Sequence, residues 1–551
     1  MVRRWWPLGA GLVLGLLVLG PGLRPGFVLV YDMVFVPEPV FGGTAFGLTG
    51  TLPRAVPSDA VVAALGVVLP GEVVQKGILL GIFVLACSGV AALLEKERGA
   101  VRLAGAVFYA WNPFVAERLF LGQWALLLGY AGLPWAVRGV LAGRRRGWVA
   151  GVLPAAAGGF MAMIVTALTV VPVAGRGRRW RVAGGCLALS LPWVVPSSLA
   201  GRDVPADVAG VGAFAARADS PFGVYASLLS LSGVWNAEVV PGGYDAVVPS
   251  ALRLVVAVAA VAGFVMGRDL PGRRGLLVAA GAGFLVAALG TVEPGRALLR
   301  GLIEFWPGFA VLRDAQQYLV PLALVQALGV AAVTRWLLAG ETRGHVRAGV
   351  AVVTAVGPVL LLPGLAFGGF GRLDAVRYPQ DFDRVRAVVA GDRVAGDVLL
   401  LPWESYRRYT WNRGRASLDP LPRYLPRRVV WNDAVRVGDV VMGTEDPRAR
   451  ELGPVVRGQG AVTEELRRRG VRFVVADEPR EWNLLQGRLP GAELTYAGTH
   501  LRLYTINDPV PPQAEGQKWL VVGLGWFVAF SYICFHLVGS RSNVGCTRNQ
   551  G

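Results

Sequence analysis

The stretch that sets the plan of this chain is Tyr31-Asp32-Met33-Val34-Phe35-Val36-Pro37-Glu38-Pro39-Val40-Phe41. It directly follows the first apolar segment and begins a long loop that ends near residue 71. An acidic side chain at the edge of a membrane is costly unless it has a partner or a role, because carboxylates prefer water to lipid. We therefore expect a membrane-embedded frame around this loop, with Asp32 as the residue that acts.

The composition indicates an integral membrane protein. Hydrophobic residues make up 54% of the 551 residues, charged residues make up 17%, and the mean hydropathy is +0.49. An ordinary soluble domain has about 25% charged residues. Several apolar runs have the length of about twenty residues that a helix needs to cross a bilayer. The sequence therefore predicts an α-helical protein that crosses the cell membrane many times.

The net charge of +18 comes largely from basic residues in short clusters between apolar runs. Such residues gather on the cytoplasmic side of membrane proteins. We interpret them as a topology signal and not as a nucleic-acid site, and we place both termini in the cytoplasm. The clusters are Arg3 and Arg4; Lys96, Arg98 and Arg102; Arg144, Arg145 and Arg146; Arg176, Arg178, Arg179 and Arg181; Arg268, Arg273 and Arg274; Arg343 and Arg347.

Two kinds of chemistry are not indicated. The four cysteines and three histidines are scattered without the spacing of a metal site or a disulfide framework, so we predict no metal-ligating cluster. The sequence also lacks a Gly-Lys-Ser/Thr phosphate loop, a dinucleotide-binding glycine fingerprint and a Gly-x-Ser-x-Gly elbow. Cytosolic nucleotide chemistry therefore has no evident site.

We expect about ten spanning helices and one re-entrant hairpin. The hairpin is predicted over 149–175, where a single crossing would place the arginines at 176–181 outside, against the positive-inside rule. Pro154 and the glycines at 158–159 also break this run. The spanning helices are predicted over about 5–21, 72–94, 101–121, 124–143, 182–199, 249–267, 276–292, 318–339, 348–366 and 519–538.

The chain is expected to divide into three parts. The composition after residue 367 becomes rich in Arg, Asp and Glu, as in a soluble domain. The parts are a membrane core over 1–367 with outer loops 22–71, 200–248 and 293–317; a small extracytoplasmic α/β domain over 368–516; and a last spanning helix with a cytoplasmic tail over 517–551.

Local patterns predict some elements within these parts. Val398–Leu401 and Val471–Val475 have the apolar, β-branched character of buried strands. Residues 461–469 are acidic at the start and basic at the end, which favours a helix matched to its own dipole. Ser58 and Asp59 are expected to cap a short interfacial helix over 60–69.

Asp32 is the first candidate catalytic residue. Its carboxylate could take a proton from a hydroxyl group or bind a metal ion; the structural alternative is a cap or an ion pair with Arg24 or Arg54. Glu38 and Asp59 are the second choices, because two nearby carboxylates can divide the roles of acid and base.

Further polar residues lie near the outer ends of the predicted helices. Glu117 and Arg118 follow a proline, and either pair with each other or hold a ligand phosphate through the guanidinium fork. Polar groups at this depth need partners, so we expect these residues to meet around one cavity unless they only cap helix ends. The members of this set are Glu117, Arg118, Gln123, Arg313, Asp314 and Gln317.

The predicted outer domain has arginines interleaved with aromatic residues from Trp403 to Trp431. Aromatic faces and guanidinium groups suit stacking on sugars and binding of anionic groups. Arg407, Arg408 and Trp411 are the candidates for this substrate-binding surface. The alternative is an ordinary solvated or lipid-facing surface.

These residues together resemble a known family. The Tyr31-Asp32 pair, the long first outer loop, the stretch Trp111 to Trp124 and the stretch Leu312 to Tyr318 resemble large actinobacterial membrane proteins. Those proteins are related to the polyprenyl-phosphate-sugar-dependent glycosyltransferases of the GT-C fold. The resemblance covers roughly residues 1–340. GT-C enzymes place an acidic catalytic residue in the first outer loop, which corresponds to Asp32, but the paired acidic motif of several members is absent here.

The resemblance implies transfer of a sugar from a polyprenyl-phosphate donor to an envelope glycan or lipid acceptor at the outer face. Membrane lipids would surround the protein as further partners. Arg118 or Arg313 would hold the donor phosphate, and Asp32 would deprotonate the acceptor. The resemblance leaves open the participation of a divalent cation and the identity of the sugar. A flippase of lipid-linked intermediates and a non-catalytic assembly scaffold are the alternatives. The size of the loop 22–71 and of the domain 368–516 favours the enzyme.

Overall fold

The computed structural model describes residues 2–200, 207–340, 343–511 and 516–537. The predicted cytoplasmic tail after residue 537 lies outside the described residues. The helices before residue 362 are α1 (Val2–Leu19), α2 (Ser58–Gly66), α3 (Gly71–Leu93), α4 (Gly99–Ala110), α5 (Pro113–Phe120), α6 (Trp124–Leu141), α7 (Arg145–Gly158), α8 (Phe160–Val173), α9 (Arg179–Leu199), α10 (Gly210–Ala213), α11 (Val224–Leu229), α12 (Val247–Met266), α13 (Arg273–Leu289), α14 (Glu293–Phe305), α15 (Val320–Ala339) and α16 (Gly344–Leu361).

The expected multi-pass helical architecture is confirmed, whereas the expected count of about ten spans is not. Within the described residues, eight helices are long and apolar enough to cross a membrane, and the bent pair α13–α14 would make a ninth. The eight are α1, α3, α6, α9, α12, α15, α16 and the terminal helix Gly516–Leu537.

Two predicted spans are broken for local reasons. The run over 101–121 stops at Ala110, because the Asn112 side chain accepts a hydrogen bond from Val115 N (3.1 Å) and starts the short helix α5 with Pro113 in its first turn. The run over 276–292 is followed by a bend of 95° into α14, which also has a proline in its first turn.

The hairpin predicted over 149–175 is present as α7 and α8, joined at Gly159 with φ of 93°. Gly158 packs against the Ala125 carbonyl at the start of α6, whereas Val173 and Leu141 both lie beside Gly272. The chain therefore folds back, and both ends of the hairpin lie at the same end of α6. Arg178 also lies against Gly143, so the two arginine clusters share one end of the helical bundle. The side of the membrane on which they lie stays a prediction.

The predicted helix over 60–69 is shorter and is capped differently. It runs over Ser58–Gly66, and neither predicted cap side chain bonds to its N-terminal amides. The Ser58 hydroxyl donates instead to the Ala55 carbonyl (3.0 Å), and the Asp59 carboxylate accepts from Arg423 (2.8 Å). The capping prediction was wrong because both polar groups find partners outside the helix.

Residues after 371 form a sheet with helices around it. The predicted strands are present over Asp397–Leu401 and Val471–Ala476, which are parallel neighbours in a five-stranded sheet. The order of the strands in this sheet is Glu493–Ala497, Arg502–Thr505, Val471–Ala476, Asp397–Leu401 and Val429–Val430. Both predicted strands are buried along nearly their whole length, as expected for strands covered on both faces. The strands are β1 (Phe27–Val28), β2 (Ala375–Val376), β3 (Asp397–Leu401), β4 (Tyr406–Arg407), β5 (Ser417–Leu418), β6 (Val429–Val430), β7 (Val435–Val437), β8 (Val440–Met442), β9 (Val471–Ala476), β10 (Glu493–Ala497) and β11 (Arg502–Thr505). The helices of this part are Gln380–Gly391, Leu421–Tyr424, Pro447–Arg457, Thr463–Arg468 and Pro479–Arg488.

The first loop is joined to the sheet-bearing part through backbone hydrogen bonds. Strand β1 pairs antiparallel with β2. Tyr31 N donates to the Ala416 carbonyl (2.6 Å), and Leu418 N donates to the Tyr31 carbonyl (2.9 Å). Asp32 therefore lies where the helical part and the sheet-bearing part meet.

Candidate active site

The candidate site is built on a tight turn in the first loop. Val30 and Met33 exchange backbone hydrogen bonds (3.3 and 2.8 Å), which enclose Tyr31 and Asp32. Tyr31 has φ of 42°, a left-handed conformation that costs a non-glycine residue free energy. Gly122, with φ of 79°, lies so close to this turn that a Cβ atom would overlap the backbone of Val30 and Met33. The loop between α5 and α6 therefore helps to fix Asp32.

The Asp32 carboxylate is partly buried and held from two sides. The Tyr406 hydroxyl donates to Oδ1 (2.6 Å), and Gln123 Nε2 lies 3.5 Å from Oδ2. Burial raises the pKa of Asp32, although both hydrogen bonds lower it, and the nearby Asp314 carboxylate adds to the rise. Arg54, one of its expected ion-pair partners, pairs with Glu445 instead. The carboxylate is thus oriented by neutral donors.

Arg118 is a completely buried guanidinium whose N–H groups are all used. Nη1 and Nη2 donate to the two carboxylate oxygens of Asp314 (2.9 and 3.0 Å). Nε donates to Gln316 Oε1 (2.7 Å), and Nη2 donates to the same oxygen. Nη1 also donates to Gln123 Oε1 (2.7 Å). These five bonds satisfy the five donors of the group.

Gln123 links this buried ion pair to the candidate base. Its Oε1 accepts from Arg118, while its Nε2 points to Asp32. On the other side of Arg118, Gln316 Nε2 donates to Glu117 Oε2 (3.1 Å), and Gln317 Nε2 donates to Asp314. The structure therefore brings together six of the predicted residues, which are Asp32, Glu117, Arg118, Gln123, Asp314 and Gln317.

Three predicted residues have other surroundings. Glu38 is exposed and pairs with Arg386 (3.0 Å). Asp59 pairs with Arg423, as described above. The Arg313 guanidinium donates to the Asp207 carbonyl (2.9 Å) and so does not join the Arg118 network. Arg313 and Asp314 are adjacent in sequence but their side chains reach different parts of the molecule.

The predicted sugar-stacking surface is largely interior. Arg407 is buried and lies 3.2 Å from Asp419 and 3.4 Å from Asp477. Trp411 packs among Tyr378, Phe382 and Tyr409, where the first loop meets the sheet. Only Arg408 of the three candidates is exposed, and it pairs with Glu238 (3.0 Å).

A cavity of about 310 Å³ adjoins the Asp32 turn. Its walls come from the first loop, from residues 422–428 and from the terminal helix. Val34 and Trp124 line it, and these residues are close in sequence to Asp32 and Gln123. Most of the lining is apolar, and the charged residues are Asp59, Arg423, Arg427 and Arg428. The cavity therefore suits a ligand with an apolar chain and an anionic group.

The described residues contain no group of three or more His, Cys, Asp or Glu side chains placed to hold a metal ion. Tyr406, which donates to Asp32, is a member of the site that was not among the predicted site residues. Gln316 stood within a stretch that the sequence already singled out. Tyr406 is 374 residues from Asp32, and its position in an arginine–aromatic run gave no sign of this contact.

The fold and the site define a class: a multi-pass helical membrane protein with a network of charged and amide side chains beside its first loop. No protein-family model matches the chain, and no curated protein is similar to it in sequence. The fold is similar to cryo-EM structures of the arabinofuranosyltransferase AftD from Mycobacteria. One of them has a TM-score of 0.55 and 18% identity over 92% of this chain; a mutant of the same enzyme has a TM-score of 0.55 and 17% identity.

This likeness confirms the expected resemblance of the fold to a GT-C membrane glycosyltransferase. The chain spans about 40% of the length of the AftD structure. At 18% identity this likeness concerns the fold.

Proposed function

We propose that the protein is a GT-C-type membrane glycosyltransferase that uses a polyprenyl-phosphate sugar and an envelope glycan or lipid acceptor at the outer face. The observation that carries this proposal is the Asp32 carboxylate, fixed by Tyr406 and Gln123 at the junction of two parts of the fold. The fold shared with an arabinofuranosyltransferase supports the reaction class. The cavity that begins at Val34, two residues after Asp32, has the apolar and basic lining that suits a lipid phosphate.

In this mechanism, an Asp32 oxygen accepts the proton of an acceptor hydroxyl. The hydroxyl oxygen forms a bond to the anomeric carbon of the donor sugar while the bond from that carbon to the phosphate oxygen breaks. The electron pair of the broken bond leaves with the lipid phosphate. A raised pKa makes Asp32 a stronger base than an exposed aspartate, provided that it is ionised at the working pH.

The donor phosphate is better placed on Arg423 than on Arg118 or Arg313. A phosphate could bind Arg118 only by displacing a protein partner, because all five of its donors are bonded. Arg423 lines the cavity, and its Nε bonds to Asp59. The Nη groups of Arg423 provide the planar fork that suits phosphate. Arg118 then acts as a positioning residue for Gln123 and Asp32.

A flippase of lipid-linked intermediates would use the hairpin α7–α8 together with charges inside the membrane. Glycines bring this hairpin into close contact with α6, where Gly139 packs on the backbone of Trp148 and Gly151 packs on that of Ala136. Such close packing is typical of a structural element, and it gives no specific support to a substrate path through the hairpin.

The experiment that tests the proposal is Asp32→Asn in the full chain, purified into lipid and supplied with polyprenyl-phosphate sugars. We expect transfer to fall by about 10²-fold or more, because a general base contributes 10²- to 10⁴-fold. Membrane insertion and thermal stability should be unchanged, since the amide keeps the shape of the carboxylate. Asp245→Asn, at an exposed residue of the second outer loop, is the matched control. A wild-type rate in Asp32→Asn would show that Asp32 is structural.

A further inference from the structure

A second polar cluster lies next to the Asp32 turn and belongs to three separate segments. The Tyr31 hydroxyl donates to Glu238 Oε2. Arg408 Nη2 donates to both oxygens of the same carboxylate (3.0 and 3.3 Å). Glu238 belongs to the second outer loop, where the Asn236 side chain accepts from its backbone N–H (3.0 Å) and holds the short turn. We call Tyr31, Glu238 and Arg408 the rim cluster.

The rim cluster is linked to the candidate base through the chain at Tyr31 and through the ring of Tyr406. Tyr31 precedes Asp32 directly, and its ring makes an edge contact with the ring of Tyr406, 6.0 Å between centroids. Tyr406 donates to Asp32, and Arg408 follows it by two residues. The consecutive residues Tyr31 and Asp32 thus contact different groups, Glu238 and Tyr406. Because Tyr406 contacts both Tyr31 and Asp32, a ligand bound at the rim cluster would lie near the Asp32 turn.

The rim cluster is exposed, unlike the Arg118–Asp314 pair. The side chains of Glu238 and Arg408 are each 60% exposed. An exposed ion pair adds little to stability, so stability alone is a weak reason for three segments to converge here. The backbone strain at Tyr31, with φ of 42°, also lies at this point, and strain of this kind gathers at ligand sites.

A further donor lies beside the cluster. Arg372 is near enough to Tyr31 and Glu238 to act on both electrostatically. Its Nη1 is buried and has no hydrogen-bond partner among the described residues, which is a costly state for a guanidinium. Its guanidinium also lies over the ring of Phe120, 5.1 Å from the centroid. Because Nη1 is buried, a ligand oxygen at the rim would satisfy this donor once the guanidinium turns toward the rim.

The charges of this region identify the chemical class of ligand. Two guanidinium groups, on Arg372 and Arg408, lie near the Glu238 carboxylate, and Asp32, the residue after Tyr31, adds a second carboxylate to this region. Carboxylate oxygens accept hydrogen bonds from hydroxyl groups, and guanidinium groups donate to hydroxyl oxygens. The balance of charge suits an uncharged, hydroxyl-rich molecule, whereas the arginine-lined cavity near Asp59 suits an anion.

We propose that Tyr31, Glu238, Arg372 and Arg408 form the subsite that binds the neutral sugar of the acceptor and turns one hydroxyl toward Asp32. The proposal rests on the proposed transfer reaction at Asp32. It assigns the acceptor to the rim cluster, which is separate from the cavity that holds the donor.

The test measures binding without turnover. The full chain with Asp32→Asn is reconstituted in nanodiscs, and saturation-transfer NMR follows a panel of methyl glycosides in furanose and pyranose forms. We expect at least one glycoside to bind, and Glu238→Gln to weaken it about ten- to a hundredfold, because a hydrogen bond to a charged group is lost. Tyr31→Phe should weaken binding of the same glycoside, although it removes only one hydroxyl group from the protein.

The matched control is Glu293→Gln, since Glu293 is also an exposed glutamate paired with arginines, Arg296 and Arg300. Glycoside binding should be unchanged in this variant. Dodecyl phosphate is the anionic probe, and Glu238→Gln should leave its binding unchanged. The proposal is overturned if the protein binds no glycoside, if Glu238→Gln and Glu293→Gln behave alike, or if Glu238→Gln alters dodecyl phosphate binding alone.

These results are independent of the transfer assay on Asp32→Asn. If Asp32→Asn lost transfer and Glu238→Gln bound glycosides normally, the assignment of the acceptor sugar to the rim cluster would be refuted. The proposed function would still be supported. If glycoside binding depended on Glu238 but Asp32→Asn transferred sugar normally, the proposed role of Asp32 would be refuted. The rim cluster would still be supported as a sugar-binding site.

Discussion

At the scale of single residues, a guanidinium can hold a ligand only with donors that the protein leaves free. All five N–H donors of Arg118 are bonded to Asp314, Gln316 and Gln123. Arg423, in contrast, bonds to Asp59 through Nε. Arg423→Lys keeps the charge but removes the fork. We expect it to raise the KM for the lipid-linked donor about tenfold while the KM for the acceptor stays the same.

Separate titrations of donor and acceptor check this expectation. Arg296→Lys, at an arginine in an exposed ion pair of α14, is the control with unchanged kinetics. The assignment would be contradicted if Arg118→Lys raised the KM for the donor without changing kcat while Arg423→Lys left this KM unchanged. Arg118 would then be the residue that binds the donor phosphate.

The hydroxyl of Tyr406 sets the pH range in which Asp32 can act as a base. Burial raises the pKa of Asp32, and the hydrogen bond from Tyr406 lowers it by stabilising the ionised carboxylate. The acid limb of the transfer rate should therefore lie above the usual aspartate pKa of about 3.9. Tyr406→Phe removes the stabilising bond, so the limb should move to still higher pH. A pH–rate profile of both proteins would refute this if the limb stayed in place or moved to lower pH.

The sequence indicates which charged residues need a partner, but it does not indicate which distant residue each of them contacts. Asp32, Arg118 and Asp314 stand out because charge near a membrane needs a partner. Arg407 and Arg408 look alike in sequence, yet Arg407 is buried and Arg408 is exposed, because strand-like backbone turns neighbouring side chains to opposite faces. The sequence alone does not say which of the two faces outward.

At the scale of elements, the contact between the loop before α6 and the Asp32 turn fixes the position of Asp32. Gly122→Ala would place a Cβ against the backbone of Val30 and Met33, and alanine also resists a φ of 79°. We expect a loss of about 1 to 3 kcal/mol in stability and a larger loss of transfer, since Asp32 would be displaced. Thermal denaturation and the transfer assay measure the two effects.

Gly357→Ala is the matched control, because a Cβ there meets open space in α16. If Gly122→Ala kept both stability and transfer, the turn would be more adaptable than its packing indicates.

Element boundaries were predicted well where apolar runs are uninterrupted. The break of the run 101–121 follows from Asn112 and Pro113, which are a strong start signal for a helix, but an average of hydropathy over the run conceals it. The bend before α14 has a similar cause in its proline at the first turn. Hydropathy gives the position of a run, and local capping decides where the helix within it ends.

At the scale of the whole molecule, the topology can be tested at the hairpin. Gly177 lies between the arginines at one end of the bundle, and a side chain there meets open space. We expect Gly177→Cys to react with a membrane-impermeant maleimide only after the membrane is opened, because the positive-inside rule places this end in the cytoplasm. Gly443→Cys, in the sheet-bearing part, should react in intact cells, and the unmodified chain is the background control. Labelling of Gly177→Cys from outside would contradict the predicted orientation.

The pairing of β1 with β2 has a mechanical consequence. The sheet-bearing part follows α16, is followed by the terminal helix, and is clamped to the first loop by this strand pair. A body attached at three points does not swing as a lid on a single hinge. Entry to Asp32 would then depend on local rearrangement of side chains and short turns. Under the proposed transfer reaction, a largely preformed site would select the substrates without closing around them.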